Sequence, residues 1–308
     1  MNYNFRNRVS TLRKMLRNFF WLLTLLALAA CSAPASSSTG SGLPVVATTS
    51  LIGDVARQIG GSRVTVRVLL PLGADPHAFE PRPQDVAALT DAAVVLVNGF
   101  ELEATLQPLL TNAKNIVTVS DSITPLPFGG AEGGVDPHVW QDPNNVMVWA
   151  RNIADAFSKA DPAHADEYKS NAEAYIQQLT ALDTWVKEQV AQIPEANRKL
   201  VTDHSDFGYF AAHYGFEQVG EVIPSVSTGS APSAQELAAL ENAIRTSGVK
   251  AVFVGSTVSP DMSRRVADDT GVKLVSLFTD SLSQPGGGAE TYLELIRYNV
   301  NAIVAALR

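Results

Sequence analysis

Residues 162–193 read PAHADEYKSNAEAYIQQLTALDTWVKEQVAQI, with no Gly or Pro between Pro162 and Pro194. Apolar or small side chains at Ala165, Tyr168, Ala172, Tyr175, Leu179, Leu182, Val186 and Val190 recur every three or four residues, the repeat of one helix face. The spacing predicts one long helix. About 30 residues at 1.5 Å each would run roughly 45 Å, more than a single small lobe needs. A kinked helical hairpin inside one lobe is the competing reading, and the unbroken pattern opposes it.

On both sides of this segment, short apolar runs alternate with helical patterns. Before it, strands are expected over 45–49, 64–70, 93–97 and 116–119, with helices over 53–59 and 83–89. After it come strands over 199–202, 251–255 and 273–277, and helices over 207–214, 233–246 and 291–307. Ser233 is a plausible N-cap, and Gly248 lies just past the end of its helix. This rhythm predicts an α/β protein of two lobes with mainly parallel sheets. The lobes span residues 43–160 and 195–308, joined by one long rigid helix over 161–194. The hinge would then have little freedom.

The start of the chain is an address. Arg6, Arg8, Arg13, Lys14 and Arg17 form a basic region without an acid, followed by the apolar run Phe19–Ala30. That run suits a signal peptide over residues 1–30 and is short for a membrane span. Leu28-Ala29-Ala30-Cys31 resembles a lipobox, in which Cys31 would be acylated and become the new N-terminus. An ordinary signal peptide with a chance cysteine is the alternative. The small residues ending the apolar run immediately before the sole cysteine favour the lipid anchor. Residues 31–42, rich in Ser, Ala and Gly, read as a flexible tether.

Charge narrows the partners. The 308-residue chain carries a net charge of −8, and removing the five positive charges of the leader takes the remainder to −13. An acidic body argues against nucleic acid, whose phosphates require a basic face. Cys31 is the only cysteine, so neither an intramolecular disulfide nor a cysteine-based zinc site is available. A metal site must draw on His, Asp and Glu.

Such a site is suggested by a local echo. Asp75-Pro76-His77-Ala78-Phe79-Glu80-Pro81 returns as Asp136-Pro137-His138-Val139-Trp140-Gln141-Asp142-Pro143. Proline restricts its own φ and that of the preceding residue, so each loop can hold an imidazole at little ordering cost. A lone His is usually structural, but two in matched frames are not readily explained that way. The second half adds His204, directly after a strand, and Asp280, near the end of another. Three imidazoles and a carboxylate form a set that zinc accepts in tetrahedral geometry. His164 and His213 are read as surface or structural residues. Glu80, Asp142, Asp203 and Asp206 flank the candidates and would either orient imidazole N–H groups or cap helices and face water.

Taken together, these segments resemble the metal-binding lipoproteins of bacterial ATP-binding-cassette importers for zinc and manganese. The motifs are 70–77 with Glu80-Pro81, 136–140 with Asp142-Pro143, 204–210 with Tyr214-Gly215, and Thr279-Asp280-Ser281-Leu282. The resemblance covers the whole mature chain. It implies two α/β lobes joined by a rigid helix, with a metal in the cleft held by His77, His138, His204 and Asp280. It also implies a membrane permease as partner, a monomer, and a lipid-anchored position in the cell envelope. Manganese members often have Glu at the position of His204, so the expected cargo is Zn2+, with Mn2+ as the alternative. Where many zinc members carry a His- and acid-rich loop, residues 125–134 hold no His and one acid, Glu132.

Two other classes compete. A metal-dependent hydrolase needs an open coordination position and a general base, whereas all four candidate ligands are committed to the ion, and no His-Glu-x-x-His or Gly-x-Ser-x-Gly motif occurs. A surface adhesin on the same fold would be expected to carry a repeat or stalk, and the sequence has neither. The chain therefore reads as a binding protein and not an enzyme.

Overall fold

The central strands of each sheet alternate their side chains between two apolar layers, and both lobes are built around that alternation. In the computed structural model, which describes residues 42–111, 113–128, 134–225 and 228–308, the first lobe contains β1 (Leu43–Ala47), α1 (Ser50–Gly60), β2 (Val64–Val68), α2 (Pro83–Asp91), β3 (Val94–Val97), α3 (Gln107–Leu110) and β4 (Ile116–Thr118). Its strands lie in the order β2-β1-β3-β4, all parallel. The second lobe contains β5 (Lys199–Thr202), α6 (Gly208–Tyr214), β6 (Glu217–Glu221), α7 (Ala234–Ser247), β7 (Ala251–Gly255), α8 (Asp261–Thr270), β8 (Lys273–Leu277) and α9 (Tyr292–Leu307). Its order is β6-β5-β7-β8, again all parallel. Between the sheets run α4 (Pro143–Ala160) and α5 (Ala165–Val190).

In the first sheet, Val45, Ala47, Val94 and Leu96 face a large central core. Val46, Val95 and Val97 face a smaller one roofed by Ala88 and Leu89 of α2. The second sheet repeats this. Leu200, Ala251 and Phe253 point to the central core, and Val201 and Val252 to an outer layer with Leu237, Leu240 and Ile244 of α7. The central core is continuous through both lobes and includes Trp140, Trp149, Tyr168, Tyr175 and Tyr292.

The long helix forms where its apolar repeat places it. After a short 3-10 turn at Pro162–His164, α5 runs unbroken for 26 residues, about 39 Å. It buries Tyr168, Ala172, Tyr175, Leu179, Leu182, Val186 and Val190 from the expected face. It packs on α4, on α1 of the first lobe and on α9 of the second. Asn171 Nδ2 donates to the Ile59 carbonyl in α1 at 2.9 Å, and near the other end Arg297 of α9 stacks over Trp185, 4.7 Å from its ring centre.

Four elements are absent from the sequence reading, among them the one-turn α3. The largest, α4, is capped by the Asp142 carboxylate accepting from Asn144 N at 2.8 Å, with Pro143 in the first turn. Its buried face, Val146, Trp149, Ala150, Ile153 and Phe157, has ordinary helical spacing. Strand β6 is a polar edge strand, Glu217–Glu221, without an apolar run to reveal it. Helix α8 is strongly polar and buries few residues. The expected leader, Cys31 and the tether as far as Ser41 lie outside the described residues. No helix among the described residues is long and apolar enough to cross a membrane.

Trp149 offers a direct test of the shared core. It is fully buried, and its Nε1 donates to Ser120 Oγ at 3.0 Å. Trp149→Ala should cost about 3–5 kcal/mol, from lost burial and the cavity left behind. Val86→Ala, at a half-exposed position of α2, should change stability by less than about 0.5 kcal/mol. Urea unfolding of the three proteins makes the comparison.

Candidate metal centre

The two Asp-Pro-His segments fold alike. Asp75 Oδ1 accepts from His77 N at 2.8 Å, and Asp136 Oδ1 accepts from His138 N at 2.9 Å. Each aspartate thus closes a tight turn onto the backbone two residues on, with the intervening proline holding the extended entry. In the second copy the same carboxylate oxygen also lies 2.8 Å from His138 Nδ1. A carboxylate only accepts, so Nδ1 carries the proton and Nε2 is the free edge. In the first copy, Asp75 Oδ2 instead accepts from Thr228 Oγ1 of the second lobe.

The second lobe contributes from the carboxyl ends of its strands, where sites in open α/β sheets gather. His204 lies two residues beyond β5, and Asp280 three beyond β8. Thr257 and Thr279 hydroxyls donate to Asp280 Oδ2 at 2.8 and 3.0 Å, while Oδ1 has no hydrogen-bond partner among the described residues. His138, His204 and Asp280 are all buried, and His77 is half-buried at the rim.

These four residues converge. Each offers one donor atom, and the four atoms lie within 4.8 Å of one another. His77 Nε2 is 3.0 Å from His138 Nε2, His138 Nε2 is 4.0 Å from Asp280 Oδ1, and His204 Nε2 is 3.8 Å from Asp280 Oδ2. Bonds of 2.0–2.1 Å in a tetrahedron put donors about 3.3 Å apart, so these spacings bracket the value an ion such as zinc requires. Two imidazole nitrogens at 3.0 Å share at most one proton between them, and a cation between them would satisfy both lone pairs.

Burial and charge treat the histidines differently. Burial, and then the neighbouring His138 imidazole, pushes His77 down to about 3, so it stands as a neutral donor. At His204, burial also works against the proton, but the Asp206 and Asp203 carboxylates outweigh it and hold the imidazole well above its usual range. Burial would raise Asp280, yet His204, His138 and His77 together hold its carboxyl below the ordinary carboxylate range. The pocket thus strongly favours positive charge on the side of the second lobe.

The model of the periplasmic zinc-uptake complex component A family matches residues 45–306, nearly all of the described chain. The chain belongs to this family. Its members are the substrate-binding proteins of ATP-binding-cassette metal transporters, and they are solute-binding proteins rather than enzymes. Among its relatives is the manganese-binding lipoprotein MntA of Halalkalibacterium halodurans, 36% identical, with the alignment covering 96% of this chain and 99% of the relative. The iron-binding protein YfeA of Yersinia pestis is 33% identical, with 91% of each chain covered. The periplasmic zinc binding protein TroA from Treponema pallidum superposes with a TM-score of 0.80 at 29% identity, covering 87% of this chain and 99% of that one. The three relatives are named for three different metals on one fold.

The flanking acids divide into distinct roles. Glu80 is exposed. Asp142 caps α4 and its Oδ2 lies 2.7 Å from His213 Nδ1. Asp203 and Asp206 are buried beside His204, a placement their sequence neighbourhood left open between orienting a ring and facing water. Thr257, which steadies Asp280 from the loop after β7, carries no signal in the sequence. His164 is tied to Asp161 at 2.7 Å in the turn between α4 and α5, and lies apart from the converging four.

His213 is likewise structural. Its Nδ1 meets Asp142, and its Nε2 lies 3.4 Å from Asp183 Oδ1 on α5. The ring therefore joins α4, α5 and α6 through two partly buried carboxylates. Removing it takes the donor from Asp142 Oδ2, while Asp183 keeps Lys187 and Tyr214, at a cost of about 1–3 kcal/mol. His213→Ala should lower the urea midpoint and leave metal affinity within about twofold of the parent in a competitive titration.

Proposed function

We propose that the chain binds one divalent transition-metal ion, with Zn2+ as its main cargo, through His77, His138, His204 and Asp280, and delivers it to the permease of its importer. The convergence of four donor atoms within 4.8 Å, three of them imidazole nitrogens, carries this reading. Imidazole suits zinc, and nitrogen-rich sites hold it above manganese in the Irving–Williams order. Manganese is the second reading. It is favoured by the buried carboxylates Asp203, Asp206 and Asp280 around His204 and by the name of the relative MntA.

Competition titration separates the two. The parent should hold zinc more tightly than manganese at neutral pH. His204→Glu exchanges a nitrogen for an anionic oxygen and should narrow that preference by at least tenfold. His77→Ala and His138→Ala should each weaken zinc binding by more than about a hundredfold, since each removes a direct bond to the ion. A parent that prefers manganese moves the assignment to the second reading.

Anchoring through acylated Cys31 is part of the same proposal, supported by the relatives named as lipoproteins. Two or more acyl chains hold a protein stably at a membrane, whereas one holds it marginally. Cys31→Ser should therefore shift the protein from the membrane pellet to the soluble fraction after a salt wash. A variant that stays in the pellet removes the lipid anchor from the proposal.

A further inference from the structure

The loop that carries His77, residues 69–82 between β2 and α2, has no regular secondary structure. Its start is held by the first sheet, where Leu69 N and Leu70 N donate to the Ala47 and Thr48 carbonyls at 2.9 and 3.0 Å. The chain then turns at an exposed tip. Ala74 N donates to the Pro71 carbonyl at 3.0 Å, and Gly73 takes a φ of +81°, a region that favours glycine. The turn directs the Gly73 N–H to the second lobe, where it donates to Ser281 Oγ at 2.8 Å. Ser281 follows Asp280 directly and is buried. Its hydroxyl donates to the Leu282 carbonyl at 3.0 Å and lies 3.3 Å from Ser50 Oγ. That proton is committed, so Ser50 is the donor to Ser281, and Ser50 Oγ in turn accepts from Leu282 N at 3.0 Å. One neutral hydroxyl thus joins the loop of one candidate ligand to the loop of another. Two further contacts run between the same loop and the second lobe. Thr228 Oγ1 donates to Asp75 Oδ2, and Gln284 Nε2 reaches the Leu72 carbonyl at 3.4 Å.

We propose that Ser281 is a positioning residue for the metal site: by accepting from Gly73 N it holds the His77 loop of the first lobe against the Asp280 loop of the second, so that His77 stands in place before an ion arrives. The proposal rests on the metal-binding reading given above. Ser281→Ala removes the acceptor for Gly73 N and changes none of the four candidate donor atoms. Without that bond the His77 loop must be ordered when the ion binds, and the ordering cost is taken from affinity. The loss of one hydrogen bond of ordinary net strength corresponds to about fivefold in affinity. The effect passes through His77, so it should disappear when the loop no longer carries an imidazole.

The test is a competitive Zn2+ titration with a chromophoric chelator on parent, Ser281→Ala, His77→Ala and the double variant, paired with hydrogen exchange of the metal-free proteins. Ser281→Ala should bind one Zn2+ about fivefold more weakly than the parent. In the His77→Ala background the same change should cost less than about twofold, because the loop then brings no donor. Without metal, peptides spanning residues 70–77 should exchange faster in Ser281→Ala, while peptides from α5 exchange as in the parent. An affinity within about twofold of the parent overturns the proposal. So does an equal loss in both backgrounds, which places the effect on Asp280 or on the fold, and so does unchanged exchange over residues 70–77. Should Ser281→Ala fail to fold, Thr228→Val removes another bond to the same loop and is read by the same three measures. A parent that binds no Zn2+ refutes the metal-binding reading itself, whereas a parent that binds one ion no more tightly than Ser281→Ala refutes the positioning role alone.

Discussion

The packing of α5 against both α1 and α9 is the constraint on which the site depends. Donors from two separate sheets can meet within a few ångströms only if the distance between the sheets is set. An unbroken 26-residue helix that touches one lobe through Asn171 and the other through Trp185 sets it. Direct bonds between the lobes add to this. Tyr292 N donates to Asp54 Oδ2 at 2.8 Å, Tyr292 Oη to the Trp140 carbonyl at 2.7 Å, and Trp140 Nε1 to the Thr279 carbonyl at 2.8 Å. The last runs from Trp140, two residues after His138, to Thr279, next to Asp280. Donors held in advance lose little freedom when an ligand arrives, and more of the gross interaction energy survives as affinity.

The two lobes prepare their donors by different means. In the first, an aspartate two residues earlier with a proline between closes the turn that carries each histidine, and at His138 it also meets the ring. The turn itself is closed within three consecutive residues, and in the first copy Thr228 of the second lobe adds a bond to Asp75. In the second, the donors depend on distant neighbours: Asp280 is steadied by Thr257 from another loop, and His204 sits among carboxylates. The charge follows the same division. The first lobe presents a neutral His77, and the second concentrates negative charge around an imidazole. In the proposed site, a cation would therefore be drawn toward one wall of the cleft and completed by nitrogen from the other.

This division also explains what the sequence could reveal. The Asp-Pro-His echo is legible because its geometry is contained in a few consecutive residues. Strands β5, β7 and β8 are legible because their apolar runs are short and bounded, and the Ser233 cap marks the start of α7 through its bond from Glu236 N. Helix α4 escaped notice because its first residues, Asp142 and Pro143, belong to the ligand motif. The same two residues also cap and start a helix, and a motif reading conceals the second role. Strand β6 lies at a sheet edge, where burial imposes no apolar pattern. The burial of Asp203 and Asp206 was beyond reach because it arises from elements far apart in the chain, and acidic residues next to a His look the same whether they face water or a core.

Ligand type and surrounding charge act on selectivity in different ways. Three imidazoles favour zinc over manganese by the nature of the bond. Buried carboxylates near the site raise the affinity for any divalent ion by a field that does not discriminate between ions of equal charge. A frame whose preorganisation and charge any divalent ion can use is consistent with relatives named for manganese, iron and zinc. Discrimination then falls to the few atoms that touch the ion. In the proposed site, the donor with the greatest leverage is His204, because two buried carboxylates, Asp203 and Asp206, flank it in sequence. A change there would alter bond type and local charge together, whereas a change at the half-buried His77, whose ring meets no carboxylate among the described residues, would alter the bond alone.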